Sequence, residues 1–165
     1  MTYNKILVPY DSSKLSDSAL EHAIKIAKMS ISFSANNIVN VILFYVTPVI
    51  HIPSTIATVL LKSNKTGETI ALDQYIKELH QEIKENSMKM LDEKIKKYEG
   101  VENVSLQSKV IIGEPADEII KYANNEKIDL IIMGTTGLGG VKKFVFGSVA
   151  KNVSEKAPCP VMLIR

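Results

Sequence analysis

Two adjoining segments decide how this chain is read: Ile128-Asp129-Leu130-Ile131-Ile132-Met133, then Gly134-Thr135-Thr136-Gly137-Leu138-Gly139-Gly140-Val141-Lys142-Lys143-Phe144-Val145-Phe146-Gly147-Ser148. The apolar run from Ile128 to Met133 has the length and composition of a strand covered on both faces, and a helical pattern starts near Ser148. A strand, a glycine-rich loop and a helix N-terminus together make an anion site. Glycines let backbone N–H groups point inward with no Cβ in the way, and the helix start adds unsatisfied donors and partial positive charge. Phosphate is the natural guest. The familiar phosphate loops do not fit: Gly140 stands where a Walker A lysine is needed, and Lys142 breaks a dinucleotide fingerprint begun at Gly137 and Gly139. What is present is Gly134-x2-Gly137-x9-Gly147-Ser148.

Downstream, the pattern predicts a helix over Ser148 to Lys156 and a strand over Pro160 to Ile164. Upstream, Val104 to Ile112 reads as a strand, and Gly113-Glu114-Pro115 opens a helix with Pro115 in its first turn and Asp117 and Glu118 where the helix dipole favours them. Earlier still, Lys5 to Val8 is a strand that ends at Pro9-Tyr10-Asp11-Ser12-Ser13, followed by a helix over 14–29. After a turn at Asn36-Asn37, Ile38 to Val46 is a second buried strand. Residues 48–69 read as a loop, with a short helix over Thr55 to Leu61 as the alternative, and a long amphipathic helix runs from about Thr69 to Tyr98.

This alternation predicts an α/β fold: a single doubly wound domain over residues 1–165, with a five-stranded parallel sheet and helices on both faces. Ligands in such sheets bind at the carboxyl ends of strands where the winding reverses. Asp11 reads two ways locally: as a helix N-cap, which Ser12 or Ser13 would serve equally, or as a carboxylate facing a ligand. If the fourth strand lies beside the first, Asp11 and Gly134 line one crevice, which favours the second role.

Composition narrows the classes. An apolar content of 45% excludes disorder, and a net charge of +2 lacks the footprint of a nucleic-acid binder. No apolar stretch approaches the ~20 residues that span a bilayer. One cysteine forms no internal disulfide framework, and the N-terminus carries no signal-peptide pattern, so a cytoplasmic location is expected. Every cation is a lysine except Arg165, so an internal arginine finger is not expected. His22, His51 and His80 show no metal-ligand spacing, and Cys159, between two prolines, reads as a small apolar residue.

The chain resembles the universal stress proteins of the ATP-binding branch over nearly its whole length. Gly134, Gly137, Gly147 and Ser148 match the glycine motif that marks those members, and Asp11, the Gly113-x-Pro115 turn and the strand Pro160 to Ile164 accompany it. The resemblance implies a strand order of 3-2-1-4-5. It further implies an adenine-nucleotide site made by Asp11, Val46, Met133, Gly134, Thr136, Gly137, Gly147, Ser148 and Val149. ATP, or ADP or AMP, would fill that site, with Mg²⁺ carried on the phosphates. Where members commonly have a longer polar or basic side chain, this chain has Thr136, a hydroxyl without the charge; Lys142 or Lys143 is a candidate to supply it, and at least one of the two reads as a solvated loop lysine.

The functional expectation is a nucleotide-dependent regulatory protein with at most weak ATP hydrolysis, dimeric through strand 160–164. Two alternatives differ from it in class. An adenine-nucleotide α-hydrolase would carry a Ser-Gly-Gly-rich loop after the first strand, where this chain has Pro9 to Ser13; a nucleotide-free structural dimer would not need the intact glycine motif. Replacing Gly134 or Gly147 by valine is expected to abolish binding while leaving the fold intact.

Overall fold

The computed structural model describes residues 3–31, 38–50, 59–137 and 146–165. The elements in chain order are β1 (Lys5–Pro9), α1 (Lys14–Ile31), β2 (Val39–Thr47), β3 (Leu60–Lys62), β4 (Thr69–Ala71), α2 (Leu72–Lys96), β5 (Val104–Ile112), α3 (Pro115–Asn125), β6 (Leu130–Gly134), α4 (Ser148–Lys156) and β7 (Val161–Ile164). Five strands form one parallel sheet in the order β5-β2-β1-β6-β7. In the numbering of the expected strands this is 3-2-1-4-5.

A parallel sheet must be covered on both faces, and the side chains of β1 divide accordingly. Ile6 and Val8 pack with Ala19, Leu20, Ala23 and Ala27 of α1 and Leu91 of α2. Leu7 points the other way, against Ile119 and Ala123 of α3 and Ala150 and Val153 of α4. All three strand residues are fully buried. Truncating Leu7 to alanine would cost about 2–5 kcal/mol by the usual cavity penalty. The winding reverses between β1 and β6, which lie side by side although 125 residues separate Asn4 from Asp129.

Three expected boundaries change. The fourth strand starts at Leu130 because Asp129 interrupts the apolar run: its Oδ2 accepts the N–H groups of Asn4 at 2.8 Å and Lys5 at 2.9 Å, fixing the start of β1. The long helix starts at Leu72, because Thr69–Ala71 pair antiparallel with Leu60–Lys62 in a small hairpin. The short helix that was the alternative for the preceding loop gives way, at Leu60 and Leu61, to β3 of that hairpin. Its loop is held by Ser63, whose Oγ accepts the Lys65 and Thr66 N–H groups and donates to Glu78 of α2, and by Gly67 at φ +73°. The turn expected at Asn36-Asn37, most of Thr55 to Leu61, and His51 lie outside the described residues. No described helix is long and apolar enough to cross a membrane.

Candidate functional site

At the carboxyl ends of β1, β2 and β6 the sheet opens into a cleft of about 540 Å³, closed on the far side by the starts of α3 and α4. Phe44, Val46, Ile119 and Met133 make an apolar wall, while Asp11, Ser13, Thr136 and Ser148 supply polar groups. All nine residues expected at the site, Asp11, Val46, Met133, Gly134, Thr136, Gly137, Gly147, Ser148 and Val149, line this one cleft. Lys142 and Lys143 lie outside the described residues.

In the β1–α1 turn the capping role does not fall to Asp11. Ser13 caps α1: its Oγ accepts the Ser16 N–H at 3.1 Å, the bond an N-cap side chain makes. Asp11 is left to shape the turn, its Oδ1 accepting the Ser13 N–H at 3.0 Å. Between them Ser12 takes a left-handed conformation at φ +67°, uncommon for a residue with a Cβ. The other carboxylate oxygen, Oδ2, faces the glycine loop where a Cβ on Gly137 would stand.

The three motif glycines have different reasons. At Gly134 a Cβ would come within 2.7 Å of the Leu15 Cβ, so this glycine lets α1 lie close against β6. At Gly137 the obstacle is Asp11, across the cleft wall. At Gly147 the nearest atoms to an added Cβ are 3.5 Å away, ordinary contact, and the backbone is extended at φ −61° and ψ 153°. Gly147, which has no side chain to offer, is the N-cap of α4, and the first residues of the helix, Ser148, Val149 and Ala150, line the cleft. The helix therefore presents its positive end to whatever the cleft holds. Thr135 ties the parts together: its N–H donates to the Ile164 carbonyl at 2.9 Å and its own carbonyl accepts the Gly147 N–H at 2.8 Å.

Beside the cleft, Tyr10 donates its hydroxyl to Asp17 Oδ1 at 2.7 Å, and Lys94 of α2 donates to the same oxygen at 2.9 Å. Burial, reinforced by the Asp17 hydrogen bond, pushes the Tyr10 phenol up to about 12. Burial alone would raise Asp17, but the hydrogen bonds from Tyr10 and Lys94 outweigh it and hold the carboxyl below its ordinary value. The bond to Asp17 raises Lys94. Among the described lining residues Asp11 is thus the only carboxylate, and Tyr10 stays protonated near neutrality.

His22 donates from Nδ1 to the Ser18 carbonyl along α1, and His80 Nε2 accepts the Ile50 N–H, so neither enters the cleft. Burial pushes the Cys159 thiol up, away from nucleophilic character. Among the described residues no cluster of histidine, cysteine and carboxylate groups could hold a metal ion.

Sequence reasoning missed several walls. Pro115 and Ile119 bring α3 over the cleft, and Phe146 flanks the glycine motif from inside its variable stretch. Pro115 was visible as a helix start, but nothing in local sequence shows that this start borders the cleft. Phe44 was visible only as a strand residue; its ring packs 4.6 Å from that of Tyr122, which backs the apolar wall from α3.

Residues 2–165 match the Universal stress protein family. A universal stress protein of Methanocaldococcus jannaschii, MJ0531, is 32% identical over 163 residues, covering 99% of this chain and 82% of that one. Among solved structures, the universal stress protein UspA from Lactobacillus plantarum superposes with a TM-score of 0.76 at 26% identity, covering 100% of this chain and 99% of the other. A family protein from Arabidopsis thaliana, solved with AMP bound, shares the fold at 17% identity and a TM-score of 0.56, covering 98% of this chain and 90% of that one.

Proposed function

The chain belongs to the universal stress protein family, and on that footing we propose that it binds an adenine nucleotide in the cleft and acts as a regulatory protein through its nucleotide-bound state. The observation that carries this reading is the gathering of the nine expected site residues, from four separate stretches of chain, around one cleft that has both an apolar wall and a helix start with glycine at its N-cap. The Arabidopsis thaliana structure carries AMP; that ligand is a property of that protein, and the support for this chain is its own cleft.

The division of labour follows from chemistry. Val46, Met133 and Ile119 offer a planar base an apolar seat, and Asp11 offers a ribose hydroxyl an acceptor. Gly137, Ser148 and Val149 offer phosphates backbone N–H groups, Ser148 and Thr136 add hydroxyls, and Gly147, whose own N–H is engaged by Thr135, leaves room at the helix start. Charge-assisted bonds contribute roughly 1.5–3 kcal/mol each, whereas micromolar binding requires about 8 kcal/mol net of ordering costs. Two or three phosphate contacts fall short, so the nucleoside end must contribute. Mg²⁺ would enter on the phosphate oxygens. Hydrolysis is slow in this reading, since Asp11 is the only carboxylate of the described lining. Pairing of two copies along β7 completes the proposal.

Denaturing the purified protein and identifying the released nucleotide by mass, followed by calorimetry of the stripped protein with ATP, ADP and AMP, tests this reading. An adenine nucleotide in the extract, or binding at micromolar concentration, is the expected result. A nucleotide-free extract together with no binding of any of the three at millimolar concentration overturns it.

A further inference from the structure

The described lining of the cleft carries one charged side chain, and it is the acid Asp11. A nucleoside polyphosphate would bring several negative charges into a site whose described walls offer them only dipoles. Arg165, the sole arginine of the chain, stands close by. It follows Ile164, which pairs opposite Gly134 and accepts the Thr135 N–H, so Arg165 leaves the sheet at the same end as the cleft. Its guanidinium carbon lies 5.5 Å from the ring centroid of Phe146, within cation–π range.

Phe146 lines the cleft immediately before Gly147 and Ser148, yet it is 46% exposed. A ring in that position forms the outer wall at the end where the helix start would take the phosphates. Cation–π attraction to a ring needs none of the guanidinium N–H groups as hydrogen-bond donors, so they can still pair with phosphate oxygens.

We propose that Arg165, carried on the ring of Phe146, engages the outer phosphates of the bound nucleotide and makes the site prefer a tri- or diphosphate to a monophosphate. The inference rests on the nucleotide reading of the cleft. Its test is calorimetry of the full chain with ATP, AMP and adenosine, comparing the unmodified protein with Arg165→Gln, Arg165→Lys, Phe146→Leu and the Arg165→Gln/Phe146→Leu pair.

Arg165→Gln should weaken ATP about tenfold while changing AMP and adenosine less than about twofold, the loss of one charge-assisted contact. Arg165→Lys should fall between, because a lysine keeps the charge without the planar fork. Phe146→Leu should reduce the ATP-to-AMP preference toward that of Arg165→Gln, and the pair should reduce it no further. An unchanged ATP-to-AMP ratio in Arg165→Gln, or equal weakening of all three ligands, overturns the assignment and leaves the nucleotide reading standing. Unmodified protein that binds none of the three overturns both.

Discussion

The Oδ2 oxygen of Asp11 lies too close to the position of a Cβ on Gly137 for a side chain to stand there. The two residues come from the first and fourth crossings of the central sheet, and their contact closes the wall between the β1–α1 turn and the glycine loop.

That contact sets the first prediction. Gly137→Ala should push the loop off Asp11, lowering the melting temperature and weakening nucleotide binding by tenfold or more, on the order of the 1–3 kcal/mol usual for overpacking. Asp11→Ala alone should weaken binding less, since it removes a contact without filling the cavity. In the double variant the stability loss should be smaller than the sum of the singles, as neighbours in contact couple. Additive losses in a thermal-unfolding cycle would show that the two side chains do not compete for space.

Gly134 and Gly147, equivalent in the motif, should separate on substitution. Gly134→Ala drives a Cβ against Leu15, 2.7 Å away, and should cost about 1–3 kcal/mol of stability whether or not nucleotide is present. Gly147→Ala has room and should leave the denaturation midpoint nearly unchanged, while the bulkier Gly147→Val should block the helix start and abolish binding. The sequence expectation that Gly134→Val would leave the fold intact is therefore revised, and urea titration of both alanine variants checks the difference.

The Tyr10–Asp17–Lys94 cluster should show in the pH dependence of stability. Asp17 is held below its ordinary value, so its contribution is present above the ordinary aspartate range of about 4 and is lost as pH falls through its lowered folded value. Lys94 is raised, and Tyr10 is raised to about 12, so their contributions are full below about pH 10 and are lost as pH rises beyond it. Asp17→Asn should flatten both limbs in melts taken from pH 3 to 11. An unaltered profile would mean that the cluster is too well solvated to matter.

ATP turnover by the isolated protein should stay far below the 1–100 s⁻¹ of kinases. Asp11 already accepts the Ser13 N–H, and the Tyr10 phenol is engaged with Asp17. Phosphate release measured with a coupled assay checks this, and a rate within the kinase range would overturn it.

For pairing along β7, the structure names the side chain to change. Ile164 is buried in the core, and Val161 and Leu163 pack toward α3 and α4, whereas Met162 is 38% exposed on the edge strand. Met162→Lys should convert a dimer to a monomer in light scattering at tens of micromolar without loss of melting temperature, while Leu163→Lys should destabilise the fold itself. A monomeric unmodified protein would remove the edge-pairing idea.

Legibility in the sequence followed punctuation. Pro115, the Gly147-Ser148 step and the alternation in the first half of Val104 to Ile112 placed the start of α3, and α4 and β5, because caps, proline and a two-residue period act locally. The hairpin at residues 60–71 was lost because its strands have three residues each, too few to show a period, and Thr69–Ala71 blended into the helix that follows. That the glycine motif lines the cleft was legible, but the reason for Gly134 was not: Leu15 meets it only once α1 has packed on the sheet. Ile119 and Phe146 were invisible as site residues for the same reason, since a wall is made by tertiary placement.

The pairing of β1 with β6 has a consequence for how the molecule comes into being on the ribosome. Ile6 and Leu7 meet Leu130 and Ile131, and Asp129 reaches back to clasp Asn4 and Lys5. For most of translation, therefore, the central strand has one edge with no mate, and the cleft's second wall has not yet been synthesised. Closing so long a loop is costly and slow. The half-made sheet is the species most in need of a holding partner, and ligand can assist only the final step, when the last strands arrive and the wall shuts.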